Sequence, residues 1–177
     1  MTNYRRSNIA GATYFFTVNL AERKRTYLID HVDLLKHIIR EEIARHPFTI
    51  DAMVVLPDHL HALWTLPEND ADFSNRWRRI KAAFSKAIPD NERRSASRES
   101  KGERGIWQRR FWEHLIRDEL DFARHVDYIH FNPVKHGHVL NVKDLPHSSF
   151  HRWVREGRSS ENWAGEDEEH QVFGERL

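Results

Sequence analysis

His59 and His61 are the residues best placed to do chemistry. In the run His59-Leu60-His61-Ala62-Leu63-Trp64-Thr65-Leu66 they read as alternate positions of a strand. Both imidazoles then leave one face about 7 Å apart along the backbone, while Leu60 points the other way into the core. Neutral imidazole binds divalent ions through one ring nitrogen, and a two-histidine site without carboxylates leaves the ion's charge available to a phosphate. Tyr128 and Asn132 form a second pair. Four residues apart on a helix, they share a face about 6 Å apart, so a phenol could attack while an amide holds a metal. An ordinary phenol titrates near pH 10, and a neighbouring dication both lowers that value and polarises phosphoryl oxygens. Plainer explanations stand beside these. Thirteen histidines make an accidental H-x-H pair unsurprising, a helical tyrosine can simply bury its ring, and Asn before Pro often marks a helix end. Pro133 also disfavours the α conformation at Asn132.

The elements that must position these groups follow from periodicity. Residues 12–19, ATYFFTVN, are aromatic and β-branched and predict a central strand. Asp30 or Asp33 could cap a helix carrying Leu34, Leu35, Ile38, Ile39 and Ile43, which stops before Pro47. Residues 48–55 predict a strand that Pro57-Asp58 turns into the histidine strand, giving a hairpin. Phe73, Trp77, Ile80, Ala83, Phe84 and Ile88 trace a helical stripe, with Arg76, Arg78, Arg79 and Lys81 around it. From Pro89 to Gly105 no apolar period appears, which predicts a mobile connection. Residues 106–116 predict a short strand or two. A last helix runs from about Asp118 through Tyr128, with Leu120, Phe122 or Ala123, Val126 and Ile129 inward, and nears its end at Pro133. This order predicts an α+β fold, an antiparallel sheet with helices packed on it.

Composition narrows the function. The 177 residues suit one domain, expected over 1–155, with a weakly ordered acidic tail over 156–177. No cysteine is present, so any metal must sit on nitrogen and oxygen. No apolar run approaches the roughly 20 residues of a membrane span, and no secretory h-region stands at the N-terminus, which predicts a cytoplasmic protein. Net charge is +1, unevenly spread. Arg76 to Arg110 holds twelve basic residues against four acidic, and Glu156 to Leu177 seven acidic against two basic. A polyanion-binding body with a tail that competes for its basic surface accounts for this; a solvated loop and a solubilising tail account for it equally.

Val-Val-Leu-Pro-Asp-His-Leu-His ending at His61, the run from Asp127 to Gly137, and Tyr14 to Thr17, Leu66 to Glu68, Trp107 to His114 and Ser148 to Phe150 form a recognisable set. In these residues the chain closely resembles the REP-associated tyrosine transposases, a group within the single-tyrosine HUH nucleases, and the resemblance runs through the set in order. It covers most of residues 4 to 153 in order. It implies a ferredoxin-like HUH nuclease fold and a Mg²⁺- or Mn²⁺-dependent enzyme that cuts single-stranded DNA beside repetitive extragenic palindromic (REP) hairpins. It also implies His59 and His61 as metal ligands, Tyr128 as nucleophile and Asn132 as third ligand, where many relatives carry Gln. The expected product is a 5′-phosphotyrosine and a free 3′-hydroxyl, rejoined without ATP; the glycines never form a phosphate-binding G-x-x-x-x-G-K. A water-activating metallohydrolase and a non-catalytic hairpin binder are the alternatives. Expected phosphate contacts are Arg5, Arg6, Arg78, Arg79, Lys81, Arg109, Arg110 and Lys135, with Trp107, Trp112 and Trp153 either stacking on bases or packing in the core. The expected partner is single-stranded hairpin DNA, the expected location the nucleoid, and the expected state a monomer.

Overall fold

The computed structural model describes residues 8–165. In chain order it runs β1 (Thr13–Asn19), α1 (Tyr27–Asp30), α2 (Val32–Arg45), β2 (Thr49–Val55), β3 (His59–Thr65), α3 (Phe73–Ala87), α4 (Ala96–Glu99), β4 (Trp112–Leu115), α5 (Glu119–Lys135), a 3₁₀ turn (Val142–Asp144) and α6 (Phe150–Arg155). The four strands form one antiparallel sheet in the order β2-β3-β1-β4. The α+β expectation holds. Both faces of the sheet are covered, which is why β1 is buried from Tyr14 to Val18 without a polar alternation.

One face carries Tyr14, Phe16, Val18, Leu60 and Trp64 under α2 and α3, which contribute Leu35, Ile39, Phe73, Trp77, Ile80 and Phe84. Trp64 and Trp77 stack at 4.1 Å between centroids. The other face carries Phe15, Ala52, Val54 and Leu63 under α5, which contributes Val126, Tyr128 and Ile129. Among the described residues no helix is long and apolar enough to cross a membrane.

Several expectations change. Neither Asp30 nor Asp33 caps the second helix: Asp30 closes α1, and α2 begins after His31 without a side-chain cap. Arg76 leaves the basic face of α3. It is buried, forks onto Asp70 at 3.1 and 2.6 Å, and donates to the carbonyls of His46, Pro47 and Asp72, tying the end of α2 to the start of α3. Leu120 points outward at 59% exposure, because the inward stripe of α5 is set by Val126 and Ile129.

Residues 89–105 are not slack. Arg104 donates to Glu92 and to the carbonyls of Ile88 and Pro89, and Arg98 reaches the Trp107 carbonyl. Residues 106–116 give one strand, β4, plus a bridge between Leu20 and Trp107.

Helix α5 continues through Pro133 to Lys135. Proline removes one helical donor, but Gly137 at φ 69° closes the end: His138 donates to the Pro133 carbonyl at 2.8 Å and Gly137 to the Val134 carbonyl at 3.0 Å. Asn132 therefore stays helical and on the Tyr128 face. Beyond α5 the chain returns to the free edge of β2, where Val55 donates to His147 and Ser149 to Met53. The start of the expected loose tail packs as well, with Trp163 against Phe131 and Phe150. The acidic run from Glu166 lies outside the described residues.

Candidate active site

The histidine pair is built by strand register. His59 lies opposite Asn19 and His61 opposite Thr17, so both imidazoles emerge on the α5 face. Each has its Nδ1 engaged: His59 with Asp58 Oδ1 at 2.8 Å, His61 with Thr17 Oγ1 at 2.9 Å. Burial alone would raise the Asp58 carboxyl, but hydrogen bonds from His59 and Arg23 outweigh it and hold the group at about 2. An ionised carboxylate can only accept, so His59 Nδ1 carries a proton, and in the neutral ring Nε2 holds the lone pair. That Nε2 is buried with no hydrogen-bond partner among the described residues. The two rings stand 5.0 Å apart with planes at 81°. Lone pairs lying in crossed planes can converge on one point.

Tyr128 reaches this face from α5. Its ring meets His61 edge-on at 5.3 Å and Phe15 at 5.8 Å, and it retains 9% exposure. Asn132, one turn further, is fully buried. His59, His61, Tyr128 and Asn132 all belong to the α5 face of the sheet. A buried nitrogen lacking a partner, paired with imidazoles oriented from behind by a carboxylate and a hydroxyl, fits a divalent cation with nitrogen and oxygen ligands. Thr17 and Asp58 were not singled out from sequence. The signal for Thr17 was available only through strand register, and Asp58 read as a turn residue.

A second cluster lies at the N-terminal end of α5: His114, Asp121 and His125, with potential ligand atoms within 4.8 Å of one another. It is built as a clamp. His114 Nε2 and Arg117 Nε bond Asp121 Oδ2 at 2.9 and 3.0 Å, and His125 Nδ1 donates to the Asp121 carbonyl at 2.7 Å. The imidazoles of His114 and His125 stack at 4.8 Å with planes only 15° apart. In-plane lone pairs on stacked, near-parallel rings cannot point at one ion. Burial would raise Asp121, but the bonds from Arg117 and His114 hold it far below the usual carboxylate range, and burial lowers His125. An anion gripped by β4 and the β4–α5 loop fixes the start of the tyrosine helix.

The expected phosphate contacts separate. Arg5 and Arg6 lie outside the described residues. Arg78, Lys81 and Arg109, with Lys86, Arg98 and Arg104, line a groove of about 750 Å³ between α3 and the 98–109 segment, on the sheet face away from the histidines. Within it Lys81 donates to the Gln108 carbonyl, and Arg109 pairs with Glu103 at 2.8 Å. Arg79 is held by Glu42, and Arg110 is exposed. Lys135 is elsewhere, its ammonium over the Tyr128 ring. Trp107 is core, donating to the Lys81 carbonyl. Trp112 packs edge-on against Phe15, and Trp153 bonds the Asp51 carbonyl beneath Arg158.

A tyrosine helix laid across an H-x-H strand of an antiparallel sheet defines an IS200-like transposase, and residues 10–132 match the family described as Transposase IS200 like. An Escherichia coli REP-associated tyrosine transposase is 48% identical over 166 residues, spanning 94% of this chain and 93% of that one. A Haemophilus influenzae relative is 46% identical over 166 residues, with 93% and 94% covered. A solved structure of a REP-associated tyrosine transposase bound to a REP hairpin is similar at a TM-score of 0.85 and 46% identity, covering 100% of this chain and 99% of that one. The chain belongs to the REP-associated tyrosine transposases and has their HUH fold.

Proposed function

We propose that the protein is a metal-dependent single-strand DNA endonuclease and strand-transferase, acting at REP hairpins through a 5′-phosphotyrosine on Tyr128. The observation that carries this reading is the meeting of the Tyr128 ring with a histidine pair whose outer nitrogens are tied and of which His59 Nε2 is sealed without a partner. In this reading His59, His61 and Asn132 hold Mg²⁺ or Mn²⁺, which supplies Lewis-acid charge to the scissile phosphate.

The chain's own residues do the rest. Helix α5, pinned through Asp121, presents the phenol in line with phosphorus. The Tyr128 oxygen–phosphorus bond forms as the phosphorus–O3′ bond breaks. The electron pair leaves on the 3′ oxygen, and one net proton passes from the phenol to that oxygen by way of solvent. The number of phosphodiester links is unchanged, so another 3′-hydroxyl can reverse the step without ATP.

The basic groove on α3 suits the phosphates of the hairpin stem, and the relative whose structure holds a REP hairpin supports that partner. A monomer fits, because nucleophile and histidines share one chain and the 147–149 segment already occupies the β2 edge.

The test is a labelled single-stranded hairpin incubated with the protein and Mn²⁺, resolved on a denaturing gel. A covalent adduct that disappears in Tyr128→Phe is the expected result. Cleavage with no adduct would indicate attack by water, and tight binding with no cleavage a hairpin-binding module.

A further inference from the structure

Lys135 departs from the behaviour of the other basic residues. It follows Tyr128 and Asn132 at helical spacing on α5, three residues past the end of the family match. Helical side chains lean toward the N-terminus, so its stem runs back over the turn bearing Asn132, and Nζ lies 5.2 Å from the Tyr128 ring centroid. There the ammonium is sealed from solvent with no hydrogen-bond acceptor, the one lysine in that state among the described residues. Lys36 and Lys81, by contrast, bond His147 Nδ1 and the Gln108 carbonyl. A buried ammonium carries three donors, and leaving them unmet is costly unless something anionic arrives. The ring face of Tyr128 attracts a cation but offers no acceptor oxygen.

We propose that Lys135 is a catalytic residue whose ammonium is kept for a non-bridging oxygen of the phosphate that Tyr128 attacks. This rests on the tyrosine reading above and goes beyond the sequence expectation of a general backbone contact. As the phenolic oxygen closes on phosphorus, negative charge gathers on the non-bridging oxygens, and a donor fixed in a dry site stabilises that charge without reorganising. Lys135 keeps its proton throughout, so the bond changes and proton balance stay those given above. The folded protein bears the cost of the unmet donors until DNA enters, a trade of stability for activity.

Two measurements test this with the full chain. In single-turnover adduct formation at saturating hairpin DNA, Lys135→Met should slow the reaction about 100-fold while hairpin affinity changes less than roughly threefold; Lys135→Arg should recover part of the rate. A normal saturated rate with weakened binding would overturn the proposal and make Lys135 an ordinary DNA contact. In thermal unfolding without DNA, Lys135→Met should melt higher than wild type by roughly 3 °C or more, and inorganic phosphate should raise the wild-type midpoint while leaving the variant's unmoved. A variant that melts lower, or equal phosphate shifts in the two proteins, would overturn it. A wild-type chain that forms no adduct strikes the tyrosine reading, whereas the phosphate shift needs no turnover and judges Lys135 separately.

Discussion

Thr17→Val tests whether the histidine pair is oriented from behind. Thr17 is fully buried on β1, and its Oγ1 lies 2.9 Å from His61 Nδ1. Valine keeps the shape, the β-branch and the strand preference and removes only the hydroxyl. With Nε2 turned to an ion, the His61 Nδ1 N–H then loses that oxygen where water does not reach, a cost of about 1–3 kcal/mol. For a chain of this length that lowers the melting temperature by roughly 5 °C. Loss of an outer hydrogen bond to a ligating imidazole typically weakens metal binding about 10- to 100-fold. Free Mn²⁺ counted by electron paramagnetic resonance, and the Mn²⁺ midpoint of adduct formation, should both move by that factor, with the rate at saturating Mn²⁺ within a few-fold of wild type. His114→Ala is the control: losing its bond to Asp121 should lower the adduct rate but leave the Mn²⁺ midpoint in place, because its ring lies nearly parallel to His125. A Thr17→Val protein that melts lower yet binds Mn²⁺ as before would refute the orienting role.

Two further outcomes follow from buried and basic groups. Burial, reinforced by Arg152 and Arg158, lowers the His130 imidazole to about 3 from the ordinary 6.5. The unfolded chain therefore takes a proton that the folded one refuses; this stability is fully present above about pH 6.5 and drains away as pH falls toward 3, with about 2 kcal/mol gone by pH 5. His130 Nε2 lies 2.9 Å from Ser149 Oγ, and His130→Gln, which can still meet that hydroxyl, should flatten the urea-unfolding free energy between pH 7 and 5 by that amount; a slope like wild type's would assign the acid sensitivity elsewhere. Arg78→Ala should reduce the slope of log hairpin affinity against log salt by about 1, and Arg79→Ala and Arg109→Ala each by less, because Glu42 and Glu103 already hold those guanidiniums. Equal slopes for all three would place the DNA outside the α3 groove.

Much of this arrangement was legible in the chain because alternation and helical spacing are strong local signals. Alternation alone put His59 and His61 on one face and Leu60 on the other, and β3 bears that out. The stripes of α2 and α3 were likewise visible. What stayed hidden depends on partners distant in sequence. Arg76 looks like a surface cation until Asp70 and three carbonyls surround it. The ion pairs of residues 89–105 have the same composition as a solvated loop. Thr17 becomes notable only once β1 is paired with β3. The end of α5 was legible only in part: helical spacing puts Tyr128 and Asn132 on one face, but the stop belongs to Gly137 and not to Pro133, so the helix runs on to Lys135.

Helix α5 is strapped to both margins of the sheet. Its first turn is gripped by Asp121 to β4, and the chain leaving its last turn is stitched along β2 at residues 147–149, with Trp153 bonding the Asp51 carbonyl. Mechanically it is a beam fixed at both ends, with Tyr128 near mid-span over the histidines. Slack at either anchorage would tilt the phenol, and a misplacement of about 1 Å can cost on the order of 100-fold in rate. Substitutions at Ser149 or Arg117, well removed from the histidines, would therefore register as losses of reactivity with DNA binding intact.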